Sequence, residues 1–68
     1  MITMTLEAAR VNVKLTQEEA AKHLGISKKT LQNWENGRTY PASKYLQPIC
    51  DLYGVPIDAL NFLPKNYA

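Results

Sequence analysis

The 68-residue chain predicts an all-α fold, a compact bundle of about five short helices. Three observations carry that prediction. Apolar residues recur at the three- and four-residue spacing of a helix face rather than in alternation. Hydroxyl residues or prolines open the periodic segments, and glycine or asparagine closes three of them. The segments also follow one another closely, leaving little room for strands.

The first segment, about Leu6 to Val13, places Leu6, Ala9 and Val13 on one face, with Thr5 as its N-cap. Thr16-Gln17-Glu18-Glu19 reads as a capping box, in which the Thr16 hydroxyl accepts the Glu19 N–H and the Glu19 carboxylate reaches back. The helix it opens turns Ala20, Ala21 and Leu24 inward and ends at Gly25. Ser27 caps a third helix to about Glu35, with Leu31 and Trp34 inward and Asn36-Gly37 as its stop. Pro41 and Ser43 introduce a fourth, carrying Leu46, Ile49, Cys50 and Tyr53 and stopped by Gly54. Pro48 removes a backbone donor inside it, so this helix should be kinked or begin late. Pro56 suits the first turn of a fifth helix carrying Ala59, Leu60 and Leu63. The whole of 1–68 reads as one domain, with a tail over 64–68 that frays.

Bulk properties exclude several functions. No apolar run approaches the ~20 residues of a membrane span. Glu7 and Arg10 interrupt the N-terminal stretch, which argues against a signal peptide. Cys50 has no internal disulfide partner, and neither it nor His23 has neighbours at metal or nucleophile spacing. Cys50 reads as a small buried apolar group and His23 as an exposed helix residue. No cofactor, metal, small-molecule substrate or enzymatic activity is expected, and a reducing cytosol fits the single thiol. The net charge is only +2, but its distribution is uneven. Between Lys22 and Lys44 the basic residues Lys22, Lys28, Lys29, Arg38 and Lys44 face the single acid Glu35. Either a phosphate-binding face or an ordinary solvated surface produces such a pattern.

The stretch from about Thr16 to Asn36 carries more. Two helices joined by about three residues cannot pack antiparallel, so they cross steeply, and the second is held out from the body. The crossing needs small residues where the helices touch, glycine at the turn and apolar side chains pointing into the joint. Ala20-Ala21, Gly25, and Leu24, Ile26, Leu31 and Trp34 supply these in order. Such a helix-turn-helix presents its second helix to the major groove of DNA. With Leu31 and Trp34 inward, the outward positions are Lys28, Lys29, Gln32, Asn33 and Asn36. Lysine donates to guanine O6 and N7, and glutamine and asparagine pair with adenine. A plain solvated helix face has the same composition.

Residues 16–41, TQEEAAKHLGISKKTLQNWENGRTYP, closely resemble the phage-repressor and Cro-type helix-turn-helix family, also called the XRE family. The matching pieces are Thr16 to Glu19, Ala21, Leu24-Gly25, Ile26-Ser27, Leu31, and Trp34 to Arg38 followed by Pro41. Weaker similarity continues through Leu46, Ile49-Cys50, Tyr53-Gly54-Val55 and Leu60, and Pro48 departs from the pattern. The resemblance implies a lambda-repressor-like domain that binds double-stranded DNA as a repressor, Cro-like or antitoxin-like transcriptional regulator in a bacterial or phage-infected cytoplasm, associated with the nucleoid when bound. It implies base reading by Lys28, Lys29 and Asn33, with Gln32 as helper. It also implies phosphate contacts from Gln17, Ser27, Arg38 and Thr39, and a structural pair of Arg10 with Glu35. Trp34 belongs to the core on this reading. One module offers few contacts, so proteins of this type act as homodimers on near-palindromic operators. Leu60, Phe62, Leu63 and Tyr67 either form the dimer contact or close the domain's own core. A protein-interaction module that kept the fold and lost DNA binding is the alternative, and the low net charge favours it.

Overall fold

The computed structural model describes residues 3–62. Within them the chain runs through β1 (Met4–Thr5), α1 (Leu6–Asn12), α2 (Gln17–Leu24), α3 (Lys28–Glu35), α4 (Ser43–Tyr53), a single 3₁₀ turn (Ile57–Ala59) and β2 (Leu60–Asn61).

Local chemistry sets most of the helix ends. Thr5 Oγ1 accepts the Ala8 N–H at 3.0 Å and starts α1. At α2 the capping box is complete, with Thr16 Oγ1 taking the Glu19 N–H at 3.1 Å and Glu19 Oε1 taking the Thr16 N–H at 2.9 Å. The Glu19 carboxyl is therefore held below the usual carboxylate range, first by the Thr16 backbone N–H and then by its hydroxyl. Gly25 closes α2 in the left-handed region at φ 71°. Its N–H and that of Ile26 return to the Lys22 and Ala21 carbonyls, satisfying groups the helix end leaves open. Ser27 Oγ then accepts the Thr30 N–H at 3.1 Å and starts α3 only three residues after α2 ends.

The apolar faces meet in one core. Leu6 and Ala9 from α1, Ala20, Ala21 and Leu24 from α2, Leu31 and Trp34 from α3, Ile49, Cys50 and Tyr53 from α4, and Leu60 are all buried. Burial, and then the neighbouring Asp51, push the Cys50 thiol up, which suits a packing role.

Three expectations change. The fifth helix is absent among the described residues, because Ile57–Ala59 makes one 3₁₀ turn and Leu60 adopts extended backbone at φ −100°, ψ 135°. Met4 and Thr5 offer a strand edge there, and pairing Met4 with Leu60 and Thr5 with Asn61 builds a two-stranded parallel sheet where no strands were expected. Leu63 and the tail 64–68 lie outside the described residues. Val13 does not face the core but is 37% exposed, since α1 stops at Asn12 and Val13 is only its cap; Arg10 takes the inward place. Of the two outcomes expected for Pro48, a kink or a late start, the late start does not occur: α4 starts at Ser43 with the proline inside it. Its first turn is anchored by Tyr45, whose ring lies 5.3 Å from that of Trp34. That contact holds the turn whose Lys44 carbonyl loses its partner N–H to the proline.

Candidate nucleic-acid interface

Ala20 and Ala21 of α2 are buried, and α2 packs against both α3 and α4 with these small side chains on its inner face. The turn Gly25-Ile26-Ser27 links α2 to α3, with Ile26 partly buried against the core. This leaves one face of α3 in solvent. Lys28 and Lys29 are exposed, Gln32 and Asn33 are half-buried, and Asn36 is exposed. Lys28 Nζ lies 4.0 Å from Glu18 Oε1, both groups open to water, a contact of little energetic weight. The Ser27 hydroxyl is engaged with Thr30, through its N–H at 3.1 Å and its Oγ1 at 2.9 Å.

Beyond α3, Arg38 and Thr39 are exposed, yet their backbone is fixed. Both N–H groups donate to the Asn33 carbonyl, at 2.9 and 3.4 Å, and Gly37 makes the bend at φ 77°. The loop is thus folded against the end of the helix whose side chains face outward. Lys44 follows at the start of α4, its Nζ 5.3 Å from the Tyr45 ring centroid.

The rear of the same unit holds a polar chain. Arg10 Nε donates to Glu35 Oε2 at 2.8 Å and Nη2 to Oε1 at 3.4 Å, with only 9% and 3% of the two side chains exposed. Arg10 Nη1 donates to the Leu15 carbonyl at 2.7 Å, so the guanidinium also ties down the α1–α2 turn. Glu35 Oε1 accepts from Gln17 Nε2 at 2.9 Å, and Gln17 Oε1 accepts from Gln32 Nε2 at 3.4 Å. Four side chains from three helices therefore form one run of hydrogen bonds from the core to the surface of α3. The sequence offers no local signal for the Gln17 links, which join positions 18 and 15 residues apart.

Tyr53, which sequence periodicity marks as core, lies within the field of this polar chain without bonding to it. Its hydroxyl is buried with no hydrogen-bond partner among the described residues. Burial, and secondarily the Glu35 charge, push its pKa up to about 12, against the opposing pull of Arg10.

A helix-turn-helix family model matches residues 6–60, and the chain belongs to that family, of the XRE type. Among curated relatives, an HTH-type transcriptional activator of Enterococcus faecalis is 36% identical over 55 residues, covering 81% of this chain and 27% of that protein. A repressor of Pectobacterium phage ZF40 is 33% identical across 100% of this chain and 60% of its own length. The cryptic phage CTXphi transcriptional repressor of Vibrio cholerae is 33% identical over 88% of this chain and 54% of its own. The chain thus spans at most 60% of the length of these three relatives. No solved structure matches it. Among the described residues no helix is long and apolar enough to cross a membrane.

Proposed function

We propose that the protein is a DNA-binding transcriptional regulator that reads the major groove of a duplex with α3. The observation that carries this reading is the solvent-facing, carboxylate-free edge of α3, Lys28, Lys29, Gln32 and Asn33, held out on a glycine turn. Family membership and relatives named as activator and repressors support it. Lys28, Lys29 and Asn33, with Gln32, read base edges. Gln17, Ser27, Arg38 and Thr39 meet phosphates, which sets register and affinity without conveying sequence. The Arg10–Glu35 pair orients α3 against the body. The action is non-covalent binding in the bacterial cytoplasm, with no catalytic step, no cofactor and no small-molecule substrate. One α3 contacts only a few base pairs, so two copies act together on a near-palindromic operator.

Selection of bound duplexes from a random pool tests this directly. The wild-type chain should enrich a short motif repeated in inverted orientation. Lys29→Ala and Asn33→Ala should each change the enriched bases while leaving the melting temperature nearly unaltered, because neither side chain is buried. Enrichment of the same motif by both variants would remove these residues from the reading face.

A further inference from the structure

We infer that Glu35 sets the hydrogen-bond polarity of Gln17 and Gln32, so that Gln32 enters the groove as a donor–acceptor edge selecting adenine over guanine. The inference rests on the DNA-binding reading above and deepens it. A carboxylate only accepts. Glu35 Oε1 stands 2.9 Å from the Gln17 amide, which must therefore turn its N–H toward Glu35, since its own oxygen there would face another. Gln17 Oε1 is left pointing at Gln32, whose amide nitrogen lies 3.4 Å away. That bond is long, but a reversed Gln32 would set two carbonyl oxygens against each other at the same separation.

Gln32 thus spends one N–H on Gln17. A primary amide has two N–H donors and one carbonyl, so one of each remains. Adenine presents an acceptor, N7, beside the N6 donor, whereas guanine presents two acceptors, N7 and O6. The remaining edge of Gln32 complements adenine. The origin of the chain cannot easily turn, because Glu35 is buried and Arg10 is itself fixed by Glu35 and the Leu15 carbonyl at 2.7 Å. Glu35 is on this account a positioning residue that acts on base choice without touching a base.

Three variants of the full chain test the relay, each read by duplex selection and by competition between operators differing in one adenine or guanine. Gln32→Ala marks the base pair that Gln32 reads. In Glu35→Gln the amide oxygen stays on Arg10 Nε, the shorter of the two guanidinium bonds, and the new NH₂ gives up the 3.4 Å contact with Nη2 and faces Gln17, which reverses each amide in turn. Gln32 then offers two N–H groups outward, and preference at the marked base pair moves from adenine toward guanine. Gln17→Met removes the relay at a half-buried surface position and lowers the adenine preference there by roughly fivefold or more. It decides the matter even if Glu35→Gln fails to fold. A purely structural Glu35 would weaken all sequences alike and leave the adenine-to-guanine ratio unmoved. If the wild type enriches no sequence, the DNA-binding reading fails and takes the relay with it. If it enriches a motif, but Gln32→Ala alters no position or Gln17→Met leaves the ratio unchanged, the relay alone is overturned.

Discussion

At the scale of single residues, the turn between α1 and α2 contains the one described non-glycine residue with positive φ, Lys14 at 63°. A side chain in this left-handed region costs roughly 1–2 kcal/mol, and glycine avoids that cost while losing about 0.5–1 kcal/mol of its extra freedom in the unfolded chain. Lys14 is exposed, and its N–H bond to the Val11 carbonyl at 2.9 Å survives the change. Lys14→Gly should therefore raise stability by about 0.5 kcal/mol, a shift of a few degrees in Tm for a domain of this size. A lower Tm for the variant would show that the lysine side chain contributes a contact that outweighs its strained backbone. Sequence did not mark this strain, because lysine is rarely left-handed and the position follows a helix that was expected to reach Val13. Arg10 shows the same limit from the other side. A helix period names Leu6 and Ala9 as inward, but a buried arginine becomes intelligible only with its carboxylate partner 25 positions away, which the family resemblance and not the spacing supplied.

At the scale of elements, α2 and α3 were the most legible, because their boundaries are written in nearest-neighbour chemistry. Thr16, Glu19, Gly25 and Ser27 each act within three or four residues of their own position. The element that departed from expectation depends on a distant partner: Leu60 joins Met4 across the molecule. The start of α4, with Pro48 inside it, likewise has Tyr45 on the distant Trp34. The capping box of α2 makes a prediction of its own. The folded Glu19 carboxyl is held below the ordinary carboxylate value, so its charge stabilises the fold at and above that ordinary value. That contribution is lost as pH falls through the lower, folded pKa. Glu19→Gln keeps a side-chain oxygen that accepts the Thr16 N–H but carries no charge. The wild type should melt higher than Glu19→Gln near neutral pH, and the gap should close as melts are repeated at acidic pH below the ordinary carboxylate range. A gap independent of pH would assign the stabilisation to geometry instead of charge.

At the scale of the whole molecule, a net charge of +2 conceals a division of labour. Glu19 caps a helix and Glu35 sits inside a buried ion pair, while Lys28, Lys29 and Arg38 stay exposed around α3. Duplex affinity depends on how many phosphates such cations neutralise, because each contact releases condensed counterions and steepens the fall of log affinity with log salt by about 0.9. Arg38 and Gln17, both proposed to meet phosphate, differ in charge, and that difference separates two effects. Arg38→Ala should weaken binding to all duplexes and flatten the salt slope by about one. Gln17→Ala removes a neutral donor, so it should weaken binding while leaving the slope nearly unchanged. Titrations of one operator and one unrelated duplex between low and physiological salt measure both. A slope unaltered by Arg38→Ala would place its guanidinium away from the phosphates. Affinity that ignores salt altogether would return the fold to a protein-binding role, since this small surplus of charge matters for DNA only through its concentration on one face.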